Sequence, residues 1–181
     1  MKTYIALLRG INVSGHRKIK MVDLRAMLAK MGFEAVKTYI QSGNVVFESS
    51  ETNTQILEQQ IKEGIAKTFG FDVPVLIKDS TELFAILRES PFQKEEDLAS
   101  NRIYYVLLKT VPDKESMANL DQRDYPNEHF VVTSNCVYLN CFLGAGKAKL
   151  NNNIIERKLK LQATTRNHKT MVKLLELSGQ G

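Results

Sequence analysis

Two kinds of hydrophobic pattern alternate along the first part of the chain. Residues 4–8 form a short apolar run, closed by Gly10, which predicts a strand buried on both faces. Apolar residues then recur at spacings of three and four between Met21 and Met31, and Gly32 follows them. This spacing predicts an amphipathic helix that ends at the glycine.

The same two patterns continue beyond this helix. Two strand-like runs at residues 36–40 and 45–47 are separated by a turn-rich tetrapeptide, which is typical of a β-hairpin. Periodic apolar positions over residues 56–69 predict a second helix, and residues 73–77 predict a fourth strand. The order β-α-β-β-α-β is that of the ferredoxin-like unit. A third helix around residues 83–87 follows it and ends before the next proline.

Three segments of the first half recur in the same order in the second half. The matched pairs are 4–9 with 104–109 (offset 100), 42–47 with 134–139 (offset 92), and 83–87 with 171–175 (offset 88). Chance similarity among short apolar runs would explain one such match. Three matches in one order indicate a tandem duplication, with offsets that fall as residues are lost from the second copy.

The sequence therefore predicts an α+β protein built by tandem duplication of two ferredoxin-like βαββαβ units, each with an extra C-terminal helix. The first repeat is expected at residues 1–92 and the second at residues 101–181. Between them, the polar and acidic segment 93–100 is the best candidate for a linker. The chain has 181 residues, of which 43% are hydrophobic, so its length and composition suit ordinary globular domains.

Charge is distributed unevenly along the chain, although the net charge is only +5. Residues 1–50 carry eight basic and three acidic side chains, whereas residues 51–100 carry five basic and ten acidic ones. Residues 144–173 contain eight basic side chains and one acidic side chain, Glu156. A fold that brings the two basic regions together would have one basic face and leave acidic groups elsewhere.

No motif for a metal, a cofactor or a nucleophile stands out. None of the three histidines lies in a cluster of Cys, Asp or Glu with metal-ligand spacing, so we expect neither a metal nor a cofactor. Cys136 and Cys141 lie five apart in a strand-like run, which places them on opposite faces and favours buried, reduced thiols. The N-terminal region has no cleavage site and no apolar stretch of membrane-spanning length. We therefore expect a cytoplasmic protein without a membrane partner.

Three polar signatures occupy places that helix and strand propensity do not dictate. They are Leu8-Arg-Gly-Ile-Asn12, Tyr39-Ile-Gln-Ser-Gly-Asn-Val-Val-Phe47 and Ala163-Thr-Thr-Arg-Asn167. With these signatures the chain resembles a widespread bacterial family of uncharacterised proteins, known as a domain of unknown function. The resemblance implies a duplicated α+β structure with no established activity. It also implies an aromatic residue, often tryptophan, where this chain has His168, and histidine would stack on a ligand more weakly.

Nine residues within these signatures and beside them form the candidate ligand site. They lie at the end of the first strand, in the first hairpin turn, and where the last strand meets the final helix. Such places hold anionic groups through arginine forks, amide donors and the helix dipole. Turn formation and helix capping are the simpler explanation of each residue alone, and for the whole set the two interpretations are balanced. The candidate ligand-binding residues are Arg9, Gly10, Asn12, Ser42, Gly43, Asn44, Arg166, Asn167 and Thr170.

Two functions from different classes remain open. The first is a binding module for an anionic ligand, either a nucleic acid, a nucleotide or another phosphate-bearing molecule, held in a basic groove with salt-sensitive affinity. We rank it first because no acid, base or nucleophile stands out, and we expect Arg9 and Arg166 to share one anion site. The alternative is a metal-independent enzyme for a small anionic metabolite, which predicts a closed pocket with a strongly perturbed titrating group. The sequence does not predict catalytic residues or an oligomeric state.

Overall fold

A computed structural model describes residues 1–180 of the chain, and each predicted repeat contains four strands that pair in an antiparallel manner. The elements of the first repeat are β1 (Lys2–Leu8), α1 (Met21–Lys30), β2 (Glu34–Tyr39), β3 (Asn44–Ser49), α2 (Thr54–Phe69), β4 (Val75–Asp79) and α3 (Ser80–Arg88). Those that follow are α4 (Glu95–Ala99), β5 (Ile103–Leu108), α5 (Lys114–Ala118), β6 (Glu128–Val132), β7 (Cys136–Cys141), α6 (Asn152–Leu159), β8 (Ala163–Asn167) and α7 (His168–Ser178).

The strands of the first repeat form an antiparallel sheet in the order β2-β3-β1-β4. Because β1 pairs with both β3 and β4, its side chains lie at the centre of the sheet and alternate between its faces. Tyr4, Ala6 and Leu8 face the main core. On the other face, Ile5 and Leu7 are fully buried as well. The first strand is therefore buried on both faces, as its continuous apolar run predicts.

The core of the first repeat lies between this sheet and helices α1 and α2. Leu24 and Leu28 of α1 pack with Leu57, Ile61 and Ile65 of α2, and all five are completely buried. Their spacing of four residues keeps them on one face of each helix. Removing each such side chain from water contributes about 1.5–3 kcal/mol, so this seam holds the helices on the sheet.

The second repeat has the same topology, with a sheet in the order β6-β7-β5-β8. Equivalent backbone hydrogen bonds close both sheets. Leu8 N donates to Gly43 O at 2.8 Å, and Leu108 N donates to Asn135 O at 2.9 Å. These partners are related by offsets of 100 and 92, the values found in the sequence. The tandem duplication and the α+β fold class are confirmed.

The division of the chain into compact units differs slightly from the repeats along the sequence. One unit contains residues 1–85 together with those from Val172 onward, and the other contains residues 86–171. The segment 93–100 contains the short helix α4. The predicted limits of the repeats and of the linker stay predictions.

The two repeats differ most in the connection between their first strand and first helix. In the first repeat, residues 9–20 form what we call the β1–α1 loop, which has twelve residues. In the second repeat, the five residues 109–113 connect β5 to α5. The added length of the first connection lies next to the residues singled out as the candidate site.

Candidate functional site

The β1–α1 loop and the β2–β3 turn lie side by side in the first unit. Two hydrogen bonds join them: Leu8 N donates to Gly43 O at 2.8 Å, and Asn12 Nδ2 donates to Gln41 O at 2.8 Å. The structure thereby brings together six of the predicted site residues. They are Arg9, Gly10, Asn12, Ser42, Gly43 and Asn44.

Asn12 fixes the shape of the β1–α1 loop. Besides its bond to Gln41, its side-chain amide donates to Ile19 O at 2.9 Å, and its Oδ1 accepts from Ile19 N at 2.9 Å. Its own backbone N donates to Arg17 O at 3.2 Å. The side chain therefore ties both ends of the loop to each other and to the neighbouring turn, which is a positioning role.

Left-handed backbone is concentrated in this loop. Five of the eight residues from 10 to 17 have a positive φ, and three of them are not glycine: Asn12 (54°), Ser14 (49°) and Arg17 (46°). A left-handed conformation is unfavourable for residues with a Cβ, by about 1–3 kcal/mol each. Such a set persists only where surrounding contacts enforce it, and the hydrogen bonds of Asn12 supply those contacts.

Gly43 is required in the turn for two separate reasons. Its φ is +80°, and a Cβ built on it would lie 2.6 Å from Leu8 Cβ and 3.0 Å from Ile11 Cδ1. Beside it, Asn44 is completely buried, and its Nδ2 donates to Ser42 Oγ at 2.9 Å and to Tyr39 O at 3.2 Å. These contacts shape the turn, in which Ser42 is exposed, as is its neighbour Gln41.

The loop also presents basic side chains that the predicted site did not include. His16, Arg17, Lys18 and Lys20 are exposed, and Arg17 Nη1 lies 3.2 Å from the place where a Cβ would stand on Gly10. No acidic residue precedes Asp23 in the sequence. That run of residues without acid is the signal from which Arg17, Lys18 and Lys20 could have been added to the candidate site.

The remaining three predicted residues lie together in the second unit, where β8 meets α7. Asn167 caps the helix, since its Oδ1 accepts from Thr170 N at 2.9 Å. The Arg166 guanidinium donates to Thr164 Oγ1 and to Thr165 O, both at 2.9 Å. Burial lowers the pKa of Arg166 to about 10, so the side chain stays cationic at neutral pH. The convergence of Arg9 and Arg166 stays a prediction.

His168, the first residue of α7, forms a pair with a buried tyrosine. The two rings are stacked with centroids 6.0 Å apart, and Tyr105 Oη lies 3.0 Å from His168 Nδ1. Burial lowers the pKa of His168 and raises the pKa of Tyr105 to about 12. At neutral pH both groups are therefore uncharged, and one proton is shared in the hydrogen bond between Tyr105 Oη and His168 Nδ1.

Both cysteines are buried free thiols on β7. Burial, and then the nearby Glu128 carboxylate, raise the pKa of Cys141 to about 11, which disfavours the thiolate form. Within residues 1–180, no group of three or more His, Cys, Asp or Glu side chains is placed to hold a metal ion. In the same residues, every helix is too short or too polar to cross a bilayer.

The sequence profile of the family described as "Protein of unknown function (DUF1697)" matches residues 1–138. The chain belongs to this family. The match includes the first two polar signatures and ends before the third, which spans residues 163–167. The family resemblance predicted from the sequence is thus confirmed. A search of curated proteins found no match.

A solved structure shares the fold of this family member. It is the structure of the conserved bacterial protein SP0830 from Streptococcus pneumoniae, with a TM-score of 0.74. The two chains are 23% identical, and the alignment covers 98% of each. At this identity the likeness concerns the fold, which is therefore common to both chains along nearly their whole length.

Proposed function

We propose that this protein is a binding module for phosphate-bearing anions and that the β1–α1 loop is its principal contact. One observation carries the proposal: an exposed, strained loop that contains Arg17, Lys18 and Lys20, but no acid, is held in a single shape by the side chain of Asn12. Strained backbone at a ligand clamp is a recurrent feature of binding sites, where it preorganises the contact groups.

The chemistry of the loop suits phosphate. Left-handed residues that alternate with other conformations turn successive backbone N–H groups towards one side, and such concave stretches bind anions. Arg9 and Arg17 can each offer two parallel donors to a pair of oxygens, whereas a lysine offers a point charge. Gly10 has no Cβ, so a ligand can approach its backbone closely.

The second cluster, where β8 meets α7, supports the same class of ligand. Arg166 lies next to Asn167, which caps a helix of eleven residues, and the positive end of the helix dipole points at this place. At the equivalent position in the first repeat, Lys78 is paired with Glu82 at 2.6 Å. The equivalent of Glu82 in the second repeat is Thr170, so this position of the helix is uncharged there.

Binding ranks above catalysis because of the direction in which the pKa values of titrating groups are shifted. The groups whose pKa values are raised chiefly by burial are tyrosines and a thiol, among them Tyr105 and Cys141. Each is raised by burial, which keeps it protonated and makes it a poorer nucleophile or base at neutral pH. A metal-independent enzyme for a small anionic metabolite is the second candidate, and it needs an activated group of the opposite kind.

Titrations with two probes test the proposal. Fluorescence anisotropy follows a labelled single-stranded oligonucleotide, and calorimetry follows inorganic pyrophosphate. For the oligonucleotide, the double change Arg17→Ala/Lys18→Ala should weaken binding and flatten the dependence of log K on log salt by about 0.7 per lost phosphate contact. A protein that binds pyrophosphate alone is a small-phosphate receptor, and one that binds only the oligonucleotide is a nucleic-acid module.

Two further variants complete the experiment. Lys94→Ala removes an exposed lysine far along the chain and should leave affinity and salt slope unchanged. Asn12→Ala keeps every basic group of the loop but removes its three side-chain hydrogen bonds, so it should weaken binding while the loop becomes more sensitive to trypsin. If neither the double variant nor Asn12→Ala changes the affinity for either probe, the proposal is wrong.

A further inference from the structure

A groove runs between α1 and α2 on the first unit, away from the β1–α1 loop. Its volume is about 510 Å³, within the range of pockets that hold small molecules. The floor is formed by the buried Met27 and the half-buried Met31 and Phe69. Thioethers and an aromatic ring make an apolar, polarisable surface that adapts to ligands of different shape.

Gly64 gives the groove its depth. It lies inside α2, where glycine is unfavourable compared with alanine. A Cβ built on Gly64 would lie 2.6 Å from Met31 Sδ and 3.6 Å from Met27 Cε. The absence of a side chain therefore lets both methionines lie against the backbone of the opposite helix.

The rim of the groove carries two lysines and one acid, Lys30, Lys67 and Asp23. Lys30 is next to Met31 on α1, and Lys67 lies about one helical turn after Gly64 on α2, so the two lysines come from opposite walls of the groove. Within residues 1–180, neither lysine has an ion-pair or hydrogen-bond partner. Asp23 lies seven residues before Lys30, about 10 Å away along the axis of α1.

We propose that this groove binds a small amphiphile, with the apolar body over the methionines and one carboxylate between Lys30 and Lys67. Two lysines against one acid give the rim a net positive charge, which fits a single anionic head. The same acid and the apolar floor make the groove unsuitable for a nucleic acid. This site is separate from the β1–α1 loop, and neither proposal depends on the other.

Methyl NMR with decanoate as the probe tests the proposal. In protein labelled with ¹³C at the methionine methyls, decanoate below its micellar concentration should shift the signals of Met27 and Met31 and leave that of Met171, which belongs to the second unit, in place. The double variant Lys30→Ala/Lys67→Ala should weaken binding about tenfold, the effect expected from losing two exposed ion pairs. Both lysines are exposed, so this variant should fold normally.

Lys62→Ala is the matched control on the same helix. Its ammonium group lies 3.1 Å from the Asp72 carboxylate and does not line the groove, so decanoate should bind this variant as it binds the wild type. Decyltrimethylammonium, which has the same tail and the opposite charge, should bind more weakly than decanoate. The proposal fails if decanoate leaves the Met27 and Met31 signals unchanged, or if the two amphiphiles bind equally. It also fails if these signals shift with protein concentration alone, since the groove would then be a contact between copies of the chain.

Discussion

Replacing Gly43 with alanine perturbs the β2–β3 turn in two ways that can be separated. The first is backbone strain, because φ is +80° and a residue with a Cβ loses about 1–2 kcal/mol in this region. The second is steric, because the new Cβ would lie 2.6 Å from Leu8 Cβ, an atom next to the backbone of a central strand that cannot move aside. Overpacking of this kind is unfavourable by about 1–3 kcal/mol.

Gly70 provides a control in which only the first effect is present. Its φ is +76°, and nothing lies within 4 Å of the place where its Cβ would stand. Alanine also reduces the entropy of the unfolded chain, which stabilises both variants by about 0.4–1 kcal/mol and offsets part of the loss of stability. We therefore expect Gly43→Ala to lower the free energy of unfolding by about 2–4 kcal/mol and Gly70→Ala by about 1 kcal/mol or less.

Urea unfolding followed by circular dichroism measures this difference. With a slope of about 1–3 kcal/mol per molar urea, the midpoint of Gly43→Ala should fall by about 1 M or more, and that of Gly70→Ala by much less. If the two variants lose the same stability within about 0.5 kcal/mol, which is the scatter expected between independent sites, the close approach of Gly43 to Leu8 is not what fixes the turn.

Three further predictions concern capping, protonation and the thiols. Burial raises the pKa of Asp79, but hydrogen bonds from Lys2 and from Glu82 N outweigh this effect and hold the pKa below its usual value. Asp79→Ala should therefore lower the free energy of unfolding, measured in urea at pH 7, by about 0.5–2 kcal/mol. The difference from the wild type should shrink as pH falls below about 4, because the wild-type carboxylate is then protonated. The lowered pKa of His168 means that the unfolded chain binds more protons just below pH 6.5, so wild-type stability should fall between about pH 7 and 5. His168→Gln should flatten this part of the pH profile, and an unchanged profile would contradict the assignment. Cys136→Ser/Cys141→Ser should lower the melting temperature and leave anion affinity unaltered, whereas lost affinity in a folded variant would favour the enzyme alternative.

The fold could be predicted because hydrophobic patterns along the sequence specify its strands and helices, and because these patterns recur in both repeats. The ends of the edge strands β4 and β8 could not be predicted. Residues 73–77 predict the fourth strand, which runs from Val75 to Asp79, and residues 161–165 predict the last one, which runs from Ala163 to Asn167. Both predictions are two residues early. Strands pair through their backbones, so they continue through polar residues that an apolar pattern leaves out. At the other end of each strand, Arg9 N donates to Pro74 O and Lys109 N donates to Gln162 O, and these hydrogen bonds close the pairing.

The sequence could predict which turn or helix start each candidate residue occupies, but not what its side chain does there. For Asn167, helix capping is the simpler explanation that the sequence already offers, but the sequence does not show that the amide of Asn12 fixes a loop. The exposed Arg17 was missed because its position depends on a positive φ, at +46°, that an arginine rarely adopts. Such a conformation is set by contacts across the loop and is not encoded in local propensity.

The connections between the first strand and the first helix differ in length between the two repeats, so the shorter one shows how few residues the fold requires there. Five residues suffice to close the second ferredoxin-like unit, so the twelve residues of the β1–α1 loop exceed what chain closure demands. Duplication leaves one copy to preserve the architecture while the other can accept an insertion, and loop closure becomes only slowly less favourable with length. Replacing residues 9–20 with a connection based on residues 109–113 would therefore test whether the proposed anion binding can be removed without loss of the fold.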